Sequence, residues 1–204
     1  MTTSALRSGL LPPRPGLTEA RTRLYMAAIE LFGQRGYYGV SMRDLAASIG
    51  VQAPALYAHV TSKQQLLFEL VTIGHEEHRD RLREALLDAG SRPADQIAAM
   101  VRAHVLTHLT YPDLARVANN EMRALSEPQL ESVTYLRDET GRLFVDILER
   151  GVRLGAFQVD NPQRVMRAIA DMGFRTAEWW SPADGVSPSE LAEDYSRYAL
   201  RLLA

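Results

Sequence analysis

The chain has 204 residues, 46% of them hydrophobic, a formal net charge of −2 and no cysteine. That is enough apolar material for a sizeable core; the lack of cysteine excludes a disulfide framework and thiolate metal or nucleophile sites and fits a reducing cytoplasm. No apolar run reaches the roughly 18 residues of a membrane span, and the N-terminus lacks the hydrophobic stretch of a signal peptide, so a cytoplasmic protein with no membrane partner is expected.

The charge is unevenly placed. Up to Lys63, seven basic residues (Arg7, Arg14, Arg21, Arg23, Arg35, Arg43, Lys63) stand against three acidic ones (Glu19, Glu30, Asp44), which leaves a head of +4 and a remainder of −6. A positive end on an acidic body suits contact with phosphates. Residues 1–17 contain Pro12, Pro13 and Pro15 with no apolar period and are expected to form a flexible arm, whose Arg7 and Arg14 are within reach of DNA. Thr18 then caps a helix whose Leu24, Ala27, Ala28, Leu31 and Phe32 recur at helical spacing; Gly36 ends it, and Tyr37, Tyr38, Gly39 and Val40 make a turn.

Ser41 to Val60, SMRDLAASIGVQAPALYAHV, reads as two short helices joined by a tight turn. Ser41 and Asp44 have the spacing of a capping box, and Leu45, Ala46 and Ile49 form a buried face. Gly50 stands where the chain must turn through a conformation that a side chain would hinder, and Val51, Leu56 and Val60 are expected to bury the second helix. The outward face of that helix offers Gln52, Ala53, Pro54, Ala55, Tyr57 and His59, hydrogen-bonding or small groups rather than a row of charges. Together these describe a DNA-binding helix-turn-helix whose second helix enters the major groove. Ser62 and Gln65 open the next helix as another capping box, running to about Ala89. The remainder reads as helices only, at about Ala94–Thr110, Pro112–Ser126, Pro128–Arg150, Pro162–Trp180 and Pro188–Leu203, with Asn161 and Ser187 as caps before proline at the first helical position.

The stretch RTRLYMAAIELFGQRGYYGV, the segment SMRDLAASIGVQAPALYAHV and the following TSKQQLLFEL resemble, in register, the N-terminal domain of the tetracycline-repressor family from Ala20 to roughly Leu70. The resemblance implies an all-α fold of about nine helices: a helix-turn-helix domain over 18–64 and a helical effector-binding and dimerisation domain over 65–204. It further implies a homodimeric repressor that binds a palindromic operator and is released by a small molecule. Within the body, NEMRAL, RGVRLGAF and MGFRTAEWWSP look like the subgroup that governs lipid and steroid-ring catabolism and responds to acyl-CoA thioesters.

The expected DNA contacts are Tyr57, His59 and Lys63 to phosphate, Ser41 at a helix N-terminus, Arg43 toward a guanine edge, and Gln52, Ala53, Pro54 and Ala55 along base edges and thymine methyls. The expected effector contacts are His104, Arg123, Phe144, Leu148, Met172, Arg175 and Trp179, apolar walls for an acyl or ring portion and cations for the CoA phosphates. The expected dimer seam is Val165, Ile169, Met172, Leu191, Tyr195, Tyr198 and Leu202. His75 with His78 and His104 with His108 form two helical pairs with metal-ligand spacing, and Glu121 is a third ligand for the second pair if the helices abut. No metal site is assigned on that basis, and no cofactor is expected. Nucleophile elbow, phosphate loop and zincin motifs are absent, which argues against an enzyme, although an acyl-CoA-binding enzyme is the rival from another class. A drug-like aromatic or cationic effector is the rival within the same class.

Overall fold

The structure, a computed structural model, describes residues 9–204. Among these the regular structure is helical throughout: α1 Glu19–Arg35, α2 Met42–Ser48, α3 Ala53–Leu56, α4 Lys63–Asp88, α5 Pro93–Thr110, α6 Pro112–Asn120, α7 Glu127–Arg153, α8 Pro162–Trp179 and α9 Pro188–Leu202, with two 3-10 turns at Met122–Ala124 and Pro182–Asp184. None of the described helices is long and apolar enough to cross a membrane.

By packing, the chain divides into two compact units: the described part of Met1–His75 with Tyr111–Val133, and Glu76–Thr110 with Thr134–Ala204. This division by packing falls inside α4 and α7. The reason is that α6 and the 3-10 turn bury Leu114, Val117, Met122 and Leu125 in the same core as α1 and the start of α4.

The helix starts follow local chemistry. Thr18 accepts from the Arg21 N–H, Asn161 from Arg164 and Ser187 from Glu190, so each supplies a partner to a first-turn N–H that the helix itself leaves unsatisfied. Ser62 accepts from the Gln65 N–H, but the Gln65 amide turns to Glu69, so only half of that expected box forms. The expected helix Pro112–Ser126 is interrupted: α6 ends at Asn120, and Glu121 leads the chain into the tighter 3-10 turn that buries Met122 and Ala124.

In the first unit α1 packs on α6 and on the α2–α3 pair around Leu24, Tyr25, Ile29, Phe32, Leu45 and Leu56, each nearly inaccessible to water. Residues 9–17, expected as part of a flexible arm, are packed here: Leu10 and Leu11 join this core, and the Arg14 guanidinium donates to the Ile73 carbonyl at 3.0 Å. Each of the two leucines contributes roughly 1.5–3 kcal/mol by burying its apolar surface, and the Arg14 bond adds to that hold. Arg7 lies outside the described residues.

In the second unit α5 packs along both α8 and α9. Its core holds Ile97, Met100, Val101, Phe144, Leu148, Ile169, Ala199 and Leu203, and the Gln158 N–H closes the chain's end by donating to the Leu203 carbonyl at 2.8 Å. Gly151 lets the Phe157 ring lie directly on α7; a β-carbon there would overlap the ring.

Candidate nucleic-acid interface and histidine cluster

The α2–α3 pair has the geometry its sequence suggests. Ser41 and Asp44 close a full capping box: the Asp44 N–H donates to Ser41 Oγ at 3.2 Å while the Ser41 N–H donates back to the Asp44 carboxylate at 2.8 Å. The Ser41 hydroxyl, donating to the same carboxylate at 2.6 Å, and then the Ser41 N–H hold the Asp44 carboxyl below its ordinary pKa. Gly50 turns the chain at φ +72°, in the left-handed region, and the Val51 N–H donates to the Ala46 carbonyl, which fixes the angle at which α3 leaves. Leu56 and Val60 anchor α3 from below; Val51, expected to help, is exposed instead, because it belongs to the turn rather than to the helix.

Above those anchors the surface is open. Gln52, Pro54, Ala55 and Tyr57 are exposed, Tyr57 at 55%, and Ala53 and His59 are half-buried. Arg43 is exposed on α2. Ser41 is exposed too, but its hydroxyl is committed to Asp44. Lys63 is placed differently from a simple phosphate contact. Its ammonium donates to the Tyr37 carbonyl at 2.9 Å and the Val40 carbonyl at 2.7 Å and sits 4.0 Å from the centre of the Tyr37 ring, pinning the aromatic turn to the start of α4. Of the two turn tyrosines, Tyr37 is buried against Phe32, whereas Tyr38 is exposed.

The support under this surface is polar at one point. Tyr25, Arg21 and Glu69 form a three-way network that ties α1 to α4, with the Tyr25 hydroxyl and the Arg21 guanidinium both donating to one carboxylate oxygen of Glu69. Burial, and then the bond to Glu69, push the Tyr25 phenol well above its ordinary pKa, so it stays a donor.

The residues expected to meet an effector separate into three places. Phe144, Leu148 and Met172 share the apolar core of the second unit. Arg175 and Trp179 lie on exposed positions of α8, and Arg175 is ion-paired with Glu178 one turn away. Arg123 belongs to the 3-10 turn of the first unit and is exposed. Of the expected dimer seam, Ile169 (2% exposed) and Leu191 (8%) are consumed inside their own chain's core. Val165, Met172 and Tyr195 are partly covered by that core, while Tyr198 (47%) and Leu202 (52%) project outward.

The histidines are regrouped. His75 turns to the Ala118 carbonyl within the first unit, and Glu121 belongs to that unit too; the group of converging ligand atoms found among the described residues is His78, His104 and His108. His78 of α4 instead meets both His104 and His108 of α5, with ring centroids 4.9 and 5.4 Å away and the latter two rings 4.5 Å apart. The hydrogen bonds assign the tautomers. His104 Nε2–H donates to the Ala170 carbonyl at 2.9 Å, leaving Nδ1 to accept from His78 Nε2–H at 2.7 Å. His108 Nδ1–H donates to the His104 carbonyl at 2.8 Å, so its lone pair is on Nε2. Burial lowers the pKa of both α5 imidazoles, that of His108 to about 3 with the neighbouring His104 adding to the effect, so both are neutral at pH 7. Gly173 on α8 makes the room: a β-carbon there would overlap the His104 ring.

The comparisons agree over both units. The model of bacterial regulatory proteins of the tetR family matches residues 24–70, and that of the tetracyclin repressor-like C-terminal domain matches 90–203. The transcriptional repressor KstR2 of Mycolicibacterium smegmatis is 27% identical over 177 residues, 86% of each chain. A bacterial regulatory protein of the tetR family from Rhodococcus RHA1 superposes with a TM-score of 0.86 at 28% identity, covering 92% of this chain and 98% of its own. The ketosteroid transcriptional regulator KstR2 of Mycobacterium tuberculosis shares the fold, with a TM-score of 0.84 at 22% identity over 92% of this chain and 96% of its own. With its helix-turn-helix and most of its remaining length both matched, this chain belongs to the tetR family of bacterial regulatory proteins and is a DNA-binding transcriptional regulator, not an enzyme.

Proposed function

We propose that the protein is a cytoplasmic homodimeric repressor that holds a palindromic operator through two copies of the α2–α3 pair and leaves it when a small molecule binds the second unit. The observation that carries the reading is the exposed face of α3 and its flanks, polar and small, standing on a buried Leu56–Val60 anchor. A helix of this size cannot secure tight specific binding alone; two heads reading half-sites about 34–36 Å apart can. Tyr57 and His59 meet phosphate, Arg43 and Gln52 reach base edges, and Ala53, Pro54 and Ala55 let the backbone approach. Ser41 and Lys63 contribute chiefly by fixing the pose, since their polar groups are engaged within the chain. Residues 18–64 serve as the reading domain and 65–204 as the effector-binding and dimerisation domain. Tyr198 and Leu202 lead the dimer seam, as the two members of the expected set with open apolar surface.

The effector we assign is an acyl-CoA thioester with a lipid or steroid-ring acyl portion. The similarity to KstR2 repressors, one of which is named a ketosteroid transcriptional regulator, supports the class, and the common core of Phe144, Leu148 and Met172, with His104 in the same unit, is apolar enough for the acyl portion. Trp179 offers an exposed face for the adenine, and Arg175 exchanges Glu178 for phosphate. The test is a competition on a fluorescent duplex carrying the protein's own upstream region, titrated with acyl-CoA esters and their free acids. Release by esters at concentrations where acids have no effect supports the assignment. Release by the acids alone, or by an aromatic cation alone, overturns it in favour of a drug-like effector; a monomer by light scattering in the DNA complex removes the dimer.

A further inference from the structure

Three imidazoles from two helices converge in the second unit, and their ring nitrogens offer three potential ligand atoms within 4.8 Å of one another. Core histidines commonly bond a backbone carbonyl, as His75 does with Ala118. This cluster differs in where its hydrogen bonds go. His104 and His108 each give their one N–H to a backbone carbonyl, of Ala170 and of His104 respectively, which leaves each a second nitrogen with its lone pair, His104 Nδ1 facing His78 and His108 Nε2 without the proton. A carbonyl partner on the far nitrogen is how proteins fix the tautomer and direction of a metal-ligating imidazole. The His78–His104 pair is then a bond between two potential ligand atoms, 2.7 Å apart, made by the proton that an ion would displace.

We propose that His78, His104 and His108 are the protein ligands of a divalent transition ion of the zinc class, with a fourth position left to water or to an oxygen of a bound molecule. Zinc–nitrogen bonds of about 2.0–2.1 Å in a tetrahedral site place neighbouring nitrogens about 3.3–3.4 Å apart. The pair at 2.7 Å must therefore open slightly, and the wider separations, up to 4.8 Å, must close by rotation of side chains. His104 and His108 are buried, and His78 is the half-buried member. It shifts its proton to Nδ1 when Nε2 takes the ion. No carboxylate joins the group among the described residues, so the donor set is imidazole only, which suits zinc, nickel or cobalt(II) and not magnesium or calcium. Three ligands leave the coordination open, the pattern of a site that also takes an exogenous ligand rather than a purely structural one. The inference stands apart from the DNA reading: it needs no operator and no acyl-CoA.

The experiment uses the full chain, freed of any affinity tag and stripped with a chelator. Zinc is titrated against a chromogenic chelator, cobalt(II) is followed in the visible spectrum, and magnesium serves as the hard-ion control. The expected result is one saturable zinc per chain, visible cobalt bands of tetrahedral intensity and no competition by magnesium. His78→Gln and His108→Gln should each weaken zinc at least tenfold, while His75→Gln, outside the cluster, should keep the parent affinity. Far-ultraviolet circular dichroism reports folding of each variant, and His78→Gln, at a half-buried position, serves if the buried His108 variant does not fold. Failure to saturate at one ion per chain, or parental affinity in a folded His78→Gln protein, overturns the site.

Discussion

The two units place their chemistry by different means. In the first, the reading surface is assembled from sequence neighbours: a capping box whose partners are three positions apart, a left-handed glycine at Gly50, and anchors at Leu56 and Val60 four positions apart. In the second, the groups that could recognise a small molecule or an ion come together only through helix packing, as with His78 and His104, 26 positions apart. A local device tolerates change elsewhere; a packed one depends on every helix that shapes it.

The sharpest way to break this comparison is to empty each core in turn. Phe32→Ala removes the ring that underlies both Tyr37 and the reading unit and should cost about 3–5 kcal/mol, abolishing DNA binding as well as lowering the melting temperature. Leu148→Ala, fully buried in the second unit, should cost about 2–5 kcal/mol. Chemical denaturation of both variants measures this; a Phe32→Ala protein with parental stability would show that the first unit does not rest on that core.

Next in size is Gly173→Ala. Its β-carbon would overlap the His104 ring, so overpacking should destabilise by about 1–3 kcal/mol and displace His104 from the Ala170 carbonyl. Proton NMR of the histidine ring resonances and a thermal melt check it. Unchanged ring shifts would mean that α5 and α8 yield easily, and the contrast between local and packed devices would fade.

How much of this was legible in the sequence follows the same division. The caps at Thr18, Ser41, Asn161 and Ser187 were readable because donor and acceptor lie within three residues. The helix-turn-helix was readable for the same reason. What the pattern missed required tertiary partners. Lys63 turns inward because two turn carbonyls, from Tyr37 and Val40, lie within its reach. Leu10 and Leu11 pack although nothing periodic surrounds them, and Ile169 and Leu191 face their own core rather than a partner. Pairing the histidines by spacing along one helix found His104 with His108 but attached His78 to the wrong neighbour, since spacing says nothing of which helix lies alongside.

Ser41→Ala should have a smaller effect, about 1 kcal/mol, because it removes the hydroxyl that caps the Asp44 N–H and bonds the Asp44 carboxylate, leaving only the Ser41 N–H bond to that carboxylate. It should weaken DNA binding modestly through the orientation of α2. A thermal melt with a parallel DNA titration measures both, and a loss of binding larger than the loss of stability would assign Ser41 a direct contact.

The smallest expected effect concerns pH. Bonds from Ser41 hold the Asp44 carboxyl below its ordinary value, and bonds from Ser187 do the same for Glu190. A carboxyl whose folded pKa is depressed contributes stability above its unfolded value, near 3.9 for Asp and 4.3 for Glu, and that contribution is lost as the pH falls through the folded value. Asp44→Asn and Glu190→Gln should therefore each be slightly less stable than the parent near pH 7, with a stability that falls less steeply below about pH 4, so that variant and parent converge in acid melts; a difference that grows as the pH falls would contradict this.

The central claim, that the open face of α3 is the DNA-reading surface, is tested most directly by a fluorescence-anisotropy titration of the parent and Tyr57→Ala with the upstream duplex at several salt concentrations. Tyr57 is 55% exposed and carries no core, so the variant should fold as the parent does. It should bind all duplexes more weakly by a similar factor, as expected for a lost backbone contact. Full affinity in a folded Tyr57→Ala protein would contradict the account.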